Sequence, residues 1–251
     1  MSRPPPKSAG ASEIAKYTMA WLEPRRDAAR AAGASAYLKI AAREDPSPPL
    51  GVDRDALKEL HRDLKKRFRP RDQDELLAQM QALWAEPWRE PKYAAMEHAR
   101  AFQKKLLGPA ALPALERMIH EGAWWDLVDA LAAWLVSPLY LRERRAVRPA
   151  LDRWRASDDL WLRRSVLLAH LKHAGDTDAE ALFADIEALM HEKEFFIRKA
   201  IGWVLRDYSY AAPDAVKAFL LAHRPGTGDE LSGLSFREGA KQLVRTGEMK
   251  L

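Results

Sequence analysis

The feature that most constrains this chain is a spaced repetition. Leu160-Trp161-Leu162-Arg163-Arg164-Ser165-Val166 is echoed by Phe195-Phe196-Ile197-Arg198-Lys199-Ala200-Ile201: an aromatic, an apolar residue, two cations, a small residue, an apolar residue. Aligning Trp161 with Phe196 gives a period of 35 residues; aligning Trp125 with Trp161 gives 36, on the aromatic and its apolar surroundings alone. A unit of that length holds two helices and cannot bury its apolar face by itself, so successive units stack into one continuous core. The expected architecture is an α-solenoid with a concave face lined by corresponding positions of successive units. Trp125, Asp129, Arg164 and Trp203 would then share one surface despite spanning nearly eighty positions.

The rest of the pattern agrees with an all-α chain. Ala, Leu, Arg and Glu dominate and strand-like alternation is scarce. Helices are expected at about 13–32, ending at Gly33, then briefly at 37–40. A loop at 44–51 (EDPSPPLG) follows, and then helices at 53–68, 72–84, 90–107, 110–121, 123–136, 143–156, 158–173, 178–190, 193–209, 212–222 and 235–246. Ser235 and Glu238 have capping-box spacing at the start of the last of these. With the period above, this predicts HEAT-like helical repeats in a single domain over 13–251. Residues 1–12 (MSRPPPKSAGAS), rich in Pro, Ser and Gly, are expected to form a disordered tail without the apolar segment of a secretory signal.

Composition narrows the chemistry. The 251 residues contain no cysteine, so neither disulfides nor thiolate metal sites are possible, and a reducing cytoplasm fits. Seven histidines form no HExxH, and no Gly-rich phosphate loop, dinucleotide fingerprint or GxSxG is present. No metal is expected. The net charge of +5 mildly favours a polyanionic partner. Two clusters carry it: Lys58 to Arg71, including Lys65, Lys66 and Arg67, and Arg142 to Arg155, including Arg148. On a concave face these would track phosphates; as ordinary solvated helix faces they would bind nothing.

The segment Gly122-Ala123-Trp124-Trp125-Asp126-Leu127-Val128-Asp129 holds the most pointed combination. On a helix Trp125 and Asp129 are four residues apart and share a face. An indole beside a carboxylate suits a groove that holds a cation, because a buried unpaired charge is costly. The same residues would also appear if both tryptophans were core and both aspartates solvated.

Several segments together resemble the AlkD-like DNA glycosylases of the DNA alkylation repair family. They are Glu194 to Tyr208 (EFFIRKAIGWVLRDY), Trp124 to Asp129 (WWDLVD) and Asp159 to Arg164 (DLWLRR), with weaker echoes at Pro49 to Val52 and Leu83 to Glu90. The resemblance spans roughly Tyr37 to Leu243. It implies a HEAT-like solenoid that excises cationic N-alkylpurines, of the 3-methyladenine and 7-methylguanine type, from double-stranded DNA while leaving the lesion stacked. It also implies roles: Trp125 and Trp203 cradle the damaged nucleotide's sugar, Asp129 is the catalytic carboxylate, Arg164 grips the DNA backbone, and Tyr37 belongs to a DNA-facing N-terminal region. No cofactor is required, and a monomer without membrane attachment is expected. After Tyr37 the chain departs from the family: the 41–49 loop is longer, and Asp53 replaces a glutamine. A non-catalytic HEAT-like scaffold for DNA or protein is the competing reading, from which retention of Asp129 between the two tryptophans distinguishes an enzyme.

Overall fold

The computed structural model describes residues 9–40, 47–226 and 228–250, and among these the regular structure is entirely helical. The chain divides into two compact units, Met1–Ala114 and Leu115–Leu251.

The first unit contains α1 (Ala9–Leu22), α2 (Ala28–Leu38), α3 (Arg54–Arg67), α4 (Gln73–Trp84) and α5 (Arg89–Leu106). Helix α1 packs on α4 and α3, and α5 packs on α3 and α4. The expected tail over 1–12 is thus helical from Ala9; residues 1–8 lie outside the described residues. The Pro-, Ser- and Gly-rich composition misled there, because the apolar spacing of α1 already begins at Ala11, which is buried with Ile14, Ala15 and Leu22. The long first helix expected over 13–32 is two. Pro24 supplies no amide donor, the chain tightens into a 3-10 turn at Glu23–Arg25, and Asp27 caps a new helix by accepting from the Arg30 amide at 2.8 Å. Gly33 lies inside α2, which ends instead at Lys39 in a left-handed conformation (φ 57°). Asp53 caps α3 by accepting from the amides of Asp55 and Ala56.

A buried clasp sets the geometry of this unit. The Glu90 carboxylate, 3% exposed, accepts from the amides of Leu50 (2.8 Å), Gly51 (2.8 Å) and Val52 (3.3 Å). Arg89 donates to the Ser47 carbonyl at 3.1 Å, and Lys92 donates to the carbonyls of Trp84 and Glu86. Only glycine fits at 51: φ is +81°, and a Cβ there would lie 2.1 Å from the Asp27 carbonyl oxygen. The two weakest sequence echoes, Pro49 to Val52 and Leu83 to Glu90, are therefore the two halves of one contact.

The second unit comprises α6 (Leu112–Gly122) from Leu115 onward, α7 (Trp125–Leu131), a π-helical segment (Ala132–Val136), α8 (Ser137–Arg142), α9 (Arg144–Arg155), α10 (Leu160–Leu168), α11 (Ala179–Leu189), α12 (Phe195–Tyr208), α13 (Pro213–Ala222) and α14 (Gly233–Arg245). Helix α10 packs against α7, α9, α11 and α12, and α12 lies along α14. The core joins Ala132 to Leu167, Leu168, Ile186, Ile197, Ile201, Leu205 and Leu243. Helices α12 and α14 approach so closely at Gly202 that a Cβ there would fall 2.3 Å from the Cβ of Glu238. Helix α14 starts two residues before the expected position: Ser232, not Ser235, caps it, accepting from the Ser235 amide at 3.0 Å. Glu238 pairs instead with Lys199, Arg206 and Lys241. The π-helical segment follows from Pro138, which offers no amide to the turn before it; a wider turn takes up the misfit.

Candidate active site

The second unit brings two of the expected residues into direct contact. Arg164 of α10 donates from Nε to Asp129 Oδ1 at 2.7 Å and from Nη2 to Oδ2 at 2.8 Å, a bidentate pair reaching α7. Its Nη1 donates to the carbonyl of Phe196 at the start of α12. Three of the five guanidinium N–H groups are thus committed within the protein. The Arg164 side chain is 5% exposed and that of Asp129 17%, so the ion pair is a dipole whose negative end lies nearer the surface. Arg164, expected to grip the DNA backbone, is buried here with three donated bonds and is the partner of the Asp129 carboxylate.

Burial pushes the Asp129 carboxyl above the ordinary carboxylate value, the bonds and charge of Arg164 pull it down, and Asp126 adds a smaller upward push. The negative charge at this position therefore depends on a single cation. Trp125 opens α7 one turn before Asp129 and is half-buried on the same helical face. Trp203 is half-buried against the core, two turns along α12 from Phe196, or about 10 Å along the axis.

The entry to α7 is tightly shaped. Ala123 takes a positive φ of 35°, an uncommon conformation for a residue with a Cβ. Trp124 then serves as N-cap, its carbonyl accepting from the Val128 amide at 2.9 Å. The indole of Trp124 meets the rings of Trp161 (centroids 5.8 Å apart) and Phe196 (5.5 Å), and Trp161 and Phe196 are 5.0 Å apart. Such ring pairs contribute about 0.5–1.5 kcal/mol each beyond the area they bury. The periodicity paired Trp125 with Trp161, whereas the ring that joins Trp161 and Phe196 is Trp124. The sequence signal for this was present: doubled tryptophans allow either register, and a one-residue shift would have found it.

In the second basic cluster Arg142, Arg145 and Arg153 are exposed, while Arg148 and Arg155 turn inward. Arg148 donates to Asp185 at 2.6 and 2.8 Å and to Asp152, Arg155 donates to Asp185 at 2.6 Å, and His170 lies 2.9 Å from the same carboxylate. Asp185 is fully buried; burial alone would raise its pKa, but Arg148 and His170 outweigh it and hold it at about 2. Its hydrogen bonds to Asp185 push Arg148 well above the ordinary arginine value. Arg148 is a packing residue of α9 and α11, neutralised where a phosphate ligand was expected. In the first unit Tyr37 is 75% exposed, and Lys65 and Lys66 are exposed in the last turn of α3. Arg67 is bonded to Asp63, which also accepts from the Tyr17 hydroxyl. Among the described residues no cluster of three or more His, Asp or Glu side chains is placed to hold a metal, and no helix is long and apolar enough to cross a membrane.

The sequence profile described as DNA alkylation repair enzyme matches residues 18–243. Among solved structures, a predicted DNA alkylation repair enzyme from Enterococcus faecalis superposes with a TM-score of 0.75 at 25% identity, covering 88% of this chain and 98% of that one. No curated protein sequence matches the chain.

Proposed function

From the premise that this chain belongs to the DNA alkylation repair enzyme family, we propose that it is a DNA glycosylase that hydrolyses the N-glycosidic bond of cationic N-alkylated purines in duplex DNA. The observation that carries this reading is the Asp129 carboxylate, partly exposed, held by both oxygens on a buried arginine, with Trp125 on its helical face.

Alkylation at N3 or N7 gives the purine a positive charge and makes it a good leaving group. When the C1′–N bond breaks, the purine departs neutral with the bonding electron pair, and positive charge passes to the sugar as an oxocarbenium-like species. A fixed carboxylate facing that charge lowers the barrier, and it can accept a proton from the water that adds at C1′. Indole faces at Trp125 and Trp203 add cation–π attraction of about 0.5–2 kcal/mol. The family resemblance adds that the lesion stays in the base stack. Arg164 holds and charges Asp129, while phosphate contacts fall to exposed cations such as Lys65 and Lys66.

The test is single-turnover release of free base from methylated duplex at saturating protein. Asp129→Asn should slow release by about 10²–10³ with little change in duplex affinity. The buried pairing of Asp129 with Arg164 favours a second reading, in which the pair is a staple within a non-catalytic DNA-binding scaffold. Duplex binding with no base release by either protein would establish that reading, whereas release by the Asp129→Asn protein at the wild-type rate would remove Asp129 from the chemistry.

A further inference from the structure

We propose that the rings of Trp124, Trp161 and Phe196 form a positioning device that fixes the Arg164 guanidinium, and through it the orientation and charge of Asp129. This deepens the glycosylase reading and rests on it for the catalytic consequence, while the positioning itself does not.

The three rings stand at the starts of three helices. Trp124 is the N-cap of α7, Trp161 the second residue of α10 and Phe196 the second residue of α12. Their mutual contacts at 5.0–5.8 Å lock the helix starts to one another. Each of these helices supplies one part of the polar assembly: α7 the carboxylate, α10 the guanidinium, α12 the Phe196 carbonyl that receives Arg164 Nη1. The guanidinium carbon also lies 5.7 Å from the Phe196 ring centroid. Phe196 therefore touches Arg164 twice, with its carbonyl and with its ring, and its ring is held by the two tryptophans.

An arginine fork bonds a carboxylate through both oxygens only when the two planes align, so a small rotation of α7 against α10 would leave one oxygen unserved, and a shift of α12 would withdraw the carbonyl that holds Nη1. Of the charged groups on α7 and α10, Asp126 pushes the Asp129 carboxyl upward, Arg164 opposes it, and Arg163 is engaged by Glu192 and the Ser157 carbonyl. No second cation on these helices takes over if Arg164 slackens.

Two readouts test the device in the full-length protein. The first is the titration of the Asp129 carboxyl carbon by NMR, which requires no turnover. Trp161→Leu should move that titration to higher pH, Trp161→Phe should restore it, and the half-buried Trp124→Leu should shift it in the same direction should Trp161→Leu fail to fold. The second is single-turnover base release across pH. Trp161→Leu should lower the plateau rate about 10- to 100-fold, as expected for a misplaced catalytic group, and shift the acidic limb upward with unchanged duplex affinity. An Asp129 titration that stays at its wild-type position in both leucine variants overturns the proposal. A shifted titration in a protein that never releases base upholds the positioning device and removes the glycosylase reading instead.

Discussion

Replacing Arg164 with methionine asks how much of Asp129 is held in place by one cation. Methionine keeps an unbranched, largely apolar stem within the buried site and removes all three donated bonds. Truncating one member of a buried ion pair typically costs about 3–5 kcal/mol, and the 17% exposure of Asp129 places this case at the lower end. Protonation sets a ceiling. Neutralising a carboxyl of ordinary pKa near 3.9 at pH 7 costs about 4 kcal/mol at ~1.36 kcal/mol per unit, and the chain cannot lose more than that through charge alone. The expected deficit is about 3 kcal/mol at pH 7. Its pH dependence has a definite sign. Without Arg164 the burial that already raises Asp129 is unopposed, so its folded-state pKa climbs further above the unfolded value. A carboxyl raised in the folded state binds protons there preferentially; its favourable contribution is complete below the unfolded pKa and lost as pH rises through the folded one. The deficit relative to wild type, measured by urea unfolding, should therefore shrink to about half at pH 5, and Asp129→Asn added to Arg164→Met should recover much of it at pH 7. A deficit below about 0.5 kcal/mol, or one that is the same at pH 5 and pH 7, would show that Asp129 is solvated and refute the argument.

Asp185→Asn should destabilise the fold by about 3 kcal/mol or more in the same assay, since it strips Arg148, Arg155 and His170 of a fully buried partner. The wild-type Asp185 carboxyl, held at about 2, stabilises the fold by about 2 kcal/mol above pH 4, and acid titration of unfolding should show that contribution disappearing as pH falls toward 2. Gly202→Ala should lower the unfolding free energy by about 1–3 kcal/mol because its methyl group meets the Glu238 Cβ, which cannot swing away as a side-chain tip would. Replacing Lys65 and Lys66 with alanine should reduce the salt dependence of duplex binding by about 2 in the slope of log K against log salt, with no dependence on base sequence.

How far the residues announced this molecule differs from place to place. Helix content was plain from composition and spacing, and Trp125 with Asp129 was legible because two positions four apart on a helix face the same way whatever surrounds them. Arg164 was found as a residue but not as a partner, since nothing local says that a cation 35 positions away in sequence will close on a given carboxylate. Arg148 looked like its neighbours in a basic run; only tertiary packing decides which cation of such a run turns inward to Asp185. The break near Pro24 was readable and was overridden by a longer apolar pattern. Trp124 was hidden by its twin: the two indoles are equivalent on paper, and one positive φ at Ala123 helps decide which of them joins the aromatic triad.

The Glu90 clasp has a bearing on how this chain can vary in length. Three consecutive amides at 50–52 are seized by one carboxylate, and the carbonyls of Ser47 and Pro48 by the side chain and amide of Arg89. Whatever number of residues precedes Ser47, the backbone is brought back to a fixed register before α3 begins. A change in the number of residues ahead of Ser47 would then cost about 0.6 kcal/mol of loop-closure entropy for each doubling of length, with the amides at 50–52 still held by Glu90. Exchange of the stretch ahead of Ser47 for shorter or longer ones is open to this fold in a way that a single inserted residue between Ser47 and Asp53 is not.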